Sequence, residues 1–341
     1  MNTHAFVLTQ FGTAEAAFQL QEIELPSLLA DEVCIEVEAF GLNYADIMAR
    51  QGLYREAPPL PCVLGYEVVG KICQIGSELP THLIGQRVLG FTRFGGYAKH
   101  AITKGNALIK IDDLSAARAL PMATQAVTAY YMAEILSPIR SSDVVLIHAA
   151  AGGVGTWLLQ LAKQKGATVI AKIGSDQKAA YVKALGADFV VNYKTHSYAE
   201  EIQRFLKQRK LTVSYNPVAG KTIPTDKKLL GPNGRLVLFG ASDLASRKGL
   251  LGKLRFLYDM GFQLPIGLMM QSKSLLGVNM LKIAESEPEL IRTCMQAIFE
   301  QVQAGILTGT EAQLYAAANM AEAHETLQAG TTSGKLAIFW D

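Results

Sequence analysis

In the first third of the chain, apolar residues recur at every second position in short runs separated by turns. EVCIEVEAFGLN sets Val33, Ile35, Val37 and Ala39 on one side of an extended segment with charged or small residues between them, the period of a half-buried strand. YEVVGKICQIG, GQRVLGFT and GGYAKHAIT continue in the same way. Among them YADIMARQ predicts a short helix, and the prolines of GLYREAPPLP suit an irregular loop. Up to Ala119 the pattern predicts an all-β lobe, a partly open barrel.

From Ala119 the period changes. The Ala-rich run LPMATQAVTAYYMAEI reads as helix, and buried strands then alternate with helical stretches: VVLIH, a helix to Lys165, TVIAKI, a helix to Leu185, FVVNY, SYAEEIQRFLKQ, LTVSYN and RLVLFG. This alternation predicts an α/β region with a parallel, doubly wound sheet. Gly166 and Gly186 stand where helices should stop. Leu244 to Met270 is apolar and irregularly helical, and SLLGVNM reads as a last strand at the sheet edge. PELIRTCMQAIFEQVQAGIL reads as an amphipathic helix with Ile291, Met295, Phe299 and Val302 along one face, and the chain ends in a loop and a strand, TTSGKLAIFW.

Chemistry enters at VVLIHAAAGGVG, Val144 to Gly155, where a buried strand runs into a glycine cluster and a helix follows at once. Gly152 and Gly153 let backbone N–H groups approach a pyrophosphate, and Gly155 lets the helix sit close to its strand. The next strand ends Lys172, Ile173, Gly174, Ser175, without the Asp or Glu that would hold the ribose of NAD. Ser175 and Lys178 are available to bind a 2′-phosphate, so NADPH is the expected cofactor; a solvated first-turn lysine is the plainer reading of Lys178. S-adenosylmethionine sites share the glycine turn but usually want an acid at that strand end.

Composition narrows the classes further. The 341 residues suggest two domains, and half hydrophobic with 18% charged is a folded composition. A net charge of +2 argues against a nucleic-acid partner. Cys34, Cys62, Cys73 and Cys294 are scattered without ligand spacing, which points to free thiols in a reducing compartment and no metal. The opening MNTHAFVLTQFG has no secretion pattern, and the expected location is cytoplasmic.

GLNYADIMARQGLY, GGYAKHAIT, AAAGGVG, KALGADFVVNYK, GRLVLFGAS and TTSGKLAIF stand in an order that resembles the zinc-free quinone oxidoreductase branch of the medium-chain dehydrogenase/reductases. With the apolar insertion before SLLGVNM, the wording looks closest to its synaptic vesicle membrane protein-like subgroup. The resemblance implies a GroES-like β-barrel lobe, residues 1–122 and 282–341, and a Rossmann domain, residues 123–281. Zinc-dependent relatives have Cys and His where this chain has Asn43 and Tyr66, so no zinc is expected.

What remains is hydride delivery to an acceptor already electron-poor, a quinone or an enone. The resemblance places Ala149, Ala150, Ala151, Gly152, Gly153, Val154 and Gly155 on the pyrophosphate, and Ser175, Lys178 and Tyr193 at the 2′-phosphate. It places Phe239, Gly240 and Ala241 along the nicotinamide, with Thr128, Gly334 and Lys335 as further cofactor contacts. Asn43, Tyr44 and Tyr54 are the expected substrate residues, Asn43 to hydrogen-bond a carbonyl and Tyr54 to donate a proton, a packing role being the alternative for Tyr54. Asp46, Glu67 and His148 are expected to be structural. A homodimer is expected through the last strand. The alternative function is a nucleotide-binding scaffold or membrane adaptor, motivated by Arg247, Lys248, Lys253 and Arg255 in the apolar insertion. A lid over the substrate is the favoured use of that segment, and membrane contact the lesser one.

Overall fold

The computed structural model describes residues 1–247 and 249–340. In chain order its strands are β1 (Asn2–Leu8), β2 (Phe18–Glu24), β3 (Glu32–Leu42), β4 (Cys62–Val63), β5 (Glu67–Ile75), β6 (Arg87–Phe91), β7 (His100–Lys104) and β8 (Leu108–Lys110), then β9 (Val144–Ile147), β10 (Thr168–Ile173), β11 (Phe189–Asn192), β12 (Leu211–Asn216), β13 (Leu230–Leu238), β14 (Ser274–Gly277), β15 (Ala312–Ala316) and β16 (Lys335–Phe339). They fall into two compact units, Met1–Val127 with Leu281–Asp341, and Thr128–Met280.

The first unit is built on β3. This strand pairs with β5, β7 and β16, within a seven-stranded sheet that runs β15-β16-β3-β5-β6-β8. Two register shifts, at Cys34/Ile35 and Val37/Ala39, bend it as bulges do. Gly70 makes the bend possible, since a Cβ there would lie 2.0 Å from the Glu36 carbonyl oxygen. The simple alternation read from the sequence gives way here. Cys34, Phe40 and Leu42 are buried together with Val33, Ile35, Val37 and Ala39, because the strand is covered on both faces. Phe40 packs on Tyr97 with ring centroids 4.7 Å apart, and Phe6 stacks on Trp340 at 5.2 Å, so the C-terminal strand closes the core opened by the first. The helix Pro288–Gln303 buries Ile291, Cys294, Met295 and Ile298; Phe299 and Val302, expected on the same face, are half-buried.

The second unit is a six-stranded sheet in the order β11-β10-β9-β12-β13-β14, parallel at every pairing. The order reverses between β9 and β12, and in such sheets ligands bind beyond the carboxyl ends of the strands at that point. Val145, Leu146, Ile147, Val169, Ile170 and Ala171 are fully enclosed, as the continuous apolar runs required. Gly166 and Gly186 end their helices at φ 79° and 106°. The Ala-rich run after Ala119 is not one helix. Pro121 lies in a 3-10 turn, Leu120–Met122; Ala123 leaves helical geometry at ψ −114°, and an α-helix (Thr124–Tyr130) continues into π-helical turns (Tyr131–Leu136).

Candidate active site and cofactor site

The glycine turn follows β9 directly. Ala149 adopts φ 48°, the left-handed region, and its carbonyl accepts from Gly152 N at 2.8 Å. The helix Gly153–Gln164 then starts from Gly152 with no side-chain cap. Its first amides, on Gly153, Val154 and Gly155, therefore have no intrahelical acceptor, a donor set that suits a diphosphate. A Cβ on Gly155 would stand 2.5 Å from the Ala149 carbonyl oxygen and 2.7 Å from Ala150 Cα, so this residue must be glycine for the turn to close. Ala151 is buried beside it.

At the ends of β10 and β11 the chain gathers the residues suited to the other end of a dinucleotide. Tyr193 lies so close over Gly174 that a Cβ there would come 3.1 Å from its hydroxyl. Lys178 N donates to Ser175 O at 3.1 Å, which draws both side chains into the same turn. Burial, aided by the charge of Lys194, lowers the Lys178 pKa. Lys194 was not singled out from the sequence; it becomes visible only when two strand ends meet. Asp176, the nearest acid after β10, accepts a hydrogen bond from Asn192 at 3.0 Å. Phe239, Gly240 and Ala241 follow β13, where a Cβ on Gly240 would be 2.8 Å from the Pro217 carbonyl oxygen. Thr128 is buried on the helix Thr124–Tyr130.

Beneath the Tyr193 ring runs a buried polar chain. Lys172 Nζ lies 4.9 Å from the Tyr193 ring centroid and 3.9 Å from that of Tyr198, and it donates to His148 Nδ1 at 3.1 Å. His148 Nε2 meets Asp226 Oδ2 at 2.8 Å, and Ser214, Asn216 and Tyr198 also donate to that carboxylate. Burial lowers the His148 pKa and brings Lys172 down to about 8. Burial alone would raise Asp226, but the charge of His148 and the donors around the carboxylate outweigh it and hold the pKa low. The His148 imidazole thus links a buried cation to a buried anion.

The first unit holds a second polar cluster. Asn43 Nδ2 donates to Glu67 Oε1 at 2.8 Å, Lys335 Nζ donates to Asn43 Oδ1 at 2.9 Å, and Lys335 also pairs with Glu67. Thr124 Oγ1 donates to the other Glu67 oxygen. Gly41 makes the room, because a Cβ there would fall 2.1 Å from Glu67 Oε1 and 2.6 Å from Lys335 Cε. Lys335, placed at the cofactor by resemblance, has its ammonium fully buried with Asn43 and Glu67 as its direct partners. Asn43 caps the helix Tyr44–Arg50, its backbone N–H donating to Asp46 Oδ2 at 2.8 Å. Burial pushes the Asp46 carboxyl up to about 7, with the Glu67 charge adding to the rise.

Tyr44 opens that helix and is partly exposed. Tyr54 is half-buried, and burial, only partly opposed by the neighbouring Tyr66, pushes its phenol up to about 12. The Tyr66 hydroxyl is buried with no hydrogen bond of ordinary geometry. Among the described residues no group of three or more His, Cys, Asp or Glu is placed to hold a metal ion.

A fused β lobe and doubly wound sheet, with a glycine turn at the strand-order reversal, define a dinucleotide-dependent oxidoreductase architecture. The chain belongs to the medium-chain dehydrogenase/reductase family: residues 29–113 match the alcohol dehydrogenase GroES-like domain and 153–296 the zinc-binding dehydrogenase domain. The synaptic vesicle membrane protein VAT-1 homolog of Danio rerio is 27% identical over 337 residues, 98% of this chain and 69% of that protein. A quinone oxidoreductase of Pseudomonas syringae pv. tomato superimposes with a TM-score of 0.87 at 27% identity over 99% of both chains. A mycobacterial protein solved in complex with NADPH superimposes with a TM-score of 0.84 at 26% identity, again over 99% of both.

Proposed function

We propose that this protein is an NADPH-dependent oxidoreductase that works without zinc and reduces a quinone or an α,β-unsaturated carbonyl. Family membership and the NADPH-bound relative support the cofactor. The residues fit it, since the uncapped amides of Gly153, Val154 and Gly155 suit the diphosphate and Ser175, Lys178, Tyr193 and Lys194 suit a 2′-phosphate. When bound, the reduced nicotinamide supplies the hydride.

The observation that carries the reading is the Asn43 amide. Its oxygen is committed to Lys335 and one N–H to Glu67, which fixes its orientation and leaves one N–H of the amide for a substrate carbonyl. The fixed donor does not reorganise as charge grows on that oxygen. Tyr54, with its pKa near 12, keeps its proton at neutral pH and can release it to a strongly basic oxyanion or carbanion. The buried Tyr66 hydroxyl beside Tyr54 opposes part of the rise that burial imposes on that phenol. With Asn43 and Tyr66 in place of Cys and His, these hydrogen bonds take over the task a metal performs in zinc-dependent relatives.

A second copy pairing along β14, an edge strand of the sheet, and a cytoplasmic location complete the proposal. Among the described residues no helix is long and apolar enough to cross a membrane. Fluorescence titration with NADPH and NADH tests the cofactor assignment. The wild type should prefer NADPH, and Lys178→Ala should lose about tenfold to a hundredfold of that preference while remaining folded. Equal affinity of the wild type for both cofactors overturns it.

A further inference from the structure

The helix Gly249–Met260 turns its apolar stripe outward. Phe256 is its buried residue, and Gly252, Asp259 and Met260 share that inner side half-buried. Leu250, Leu251, Leu254, Leu257 and Tyr258 stand at i, i+1, i+4, i+7 and i+8, positions that gather on one helix face. They are exposed by 72%, 83%, 52%, 62% and 83%. Lys253 and Arg255, both exposed, border this stripe on opposite flanks. Phe262, 94% exposed, prolongs it beyond the helix, and Met269 and Met270 of the next helix, Pro265–Gln271, add exposed apolar surface. A contiguous apolar patch with a charged rim marks a contact surface.

Charge decides what the contact is. The sole acid in the sequence from 249 to 271 is Asp259, which sits on the inner side and accepts from Arg247 at 2.9 Å. The outward charges on this helix are Lys253 and Arg255; Lys248 lies outside the described residues. A second copy docking here about a twofold axis would set these cations against their own images, with no exposed acid among residues 249–271 to meet them. An anionic lipid surface accepts both the cations and the leucines.

We propose that this face docks on an anionic bilayer, with the helix in the headgroup plane, the leucines and Phe262 at the acyl boundary, and Lys253 and Arg255 against lipid phosphate and carboxylate groups. The helix is too short to span and lies on the surface. This goes beyond the proposed reduction and does not depend on it.

Flotation of the full chain with phosphatidylcholine vesicles, with and without phosphatidylserine, is the test. The protein should float with the serine lipid alone, and less at high salt. K253E/R255E should lower vesicle partition by about thirtyfold, and L251S/F262S should abolish it. All four sites are exposed, and thermal melting by circular dichroism should be unchanged, which separates lost docking from misfolding. No flotation, or equal flotation with both vesicles, overturns the proposal. It is also overturned if flotation is absent and L251S/F262S converts a dimer to monomer in light scattering, which assigns the face to a second copy. Absent flotation with a changed KM for a quinone assigns it to a lid, with the same result.

Discussion

Lys335 donates to Asn43 Oδ1 at 2.9 Å across 292 positions of sequence, and in doing so sets which end of that amide is oxygen. The same ammonium neutralises Glu67, whose carboxylate is wholly buried. Lys335→Met leaves that carboxylate without its counter-charge and should cost about 3–5 kcal/mol in denaturant unfolding. Adding Glu67→Gln should recover most of it, since no charge then remains enclosed; a double variant as unstable as the single one refutes the pairing.

Tyr54→Phe removes the proposed proton donor and keeps the ring. Turnover should fall by about a hundredfold, while NADPH affinity in fluorescence titration stays the same. A variant with wild-type turnover would return Tyr54 to packing.

Asp46 gives stability a pH dependence of defined sign. Its folded pKa is about 7, above the 3.8 of a free aspartate, so between these values the folded state holds more protons than the unfolded one. Its contribution is fully favourable below the lower value and is lost as pH rises to the upper one. Asp46→Asn should therefore stabilise the protein by roughly 2 kcal/mol at pH 8 and have little effect near pH 4. Melting temperatures across that range check it; a variant destabilised most at high pH contradicts it.

Ala149 carries a Cβ in the left-handed region at φ 48°. Ala149→Gly should raise stability by about 0.5–1 kcal/mol, the difference between relieved strain and the greater chain entropy of glycine. Chemical denaturation reads this directly, and a loss of stability would show that the methyl group is needed for packing.

What the sequence disclosed depended on distance along the chain. The glycine turn, the strand-helix alternation, the edge strand and the acid-free strand end with Ser175 and Lys178 are local patterns, and each was legible; Tyr193 came with the resemblance. The chain from Lys172 through His148 to Asp226 was not, because parallel strand register sets Lys172 beside His148 and the packed helix Thr222–Leu229 brings Asp226, three separate segments in all. The link from Asn43 to Lys335 likewise exists only once β16 pairs with β3. Periodicity marked the insertion as apolar and helical, but not that its stripe would point outward, since pattern fixes which residues share a face and not what that face meets.

The central claim is that an NADPH-binding chain reduces an electron-poor acceptor through hydrogen-bond donors in place of a metal. The most direct measurement is NADPH consumption by the purified protein with a simple quinone or enone, before and after exhaustive chelation. NADPH should be oxidised at a rate that chelation leaves unchanged, with NADH the poorer donor. Activity that vanishes on chelation and returns with added zinc would contradict the account, as would no turnover across a broad panel of quinones and enones with NADPH tightly bound.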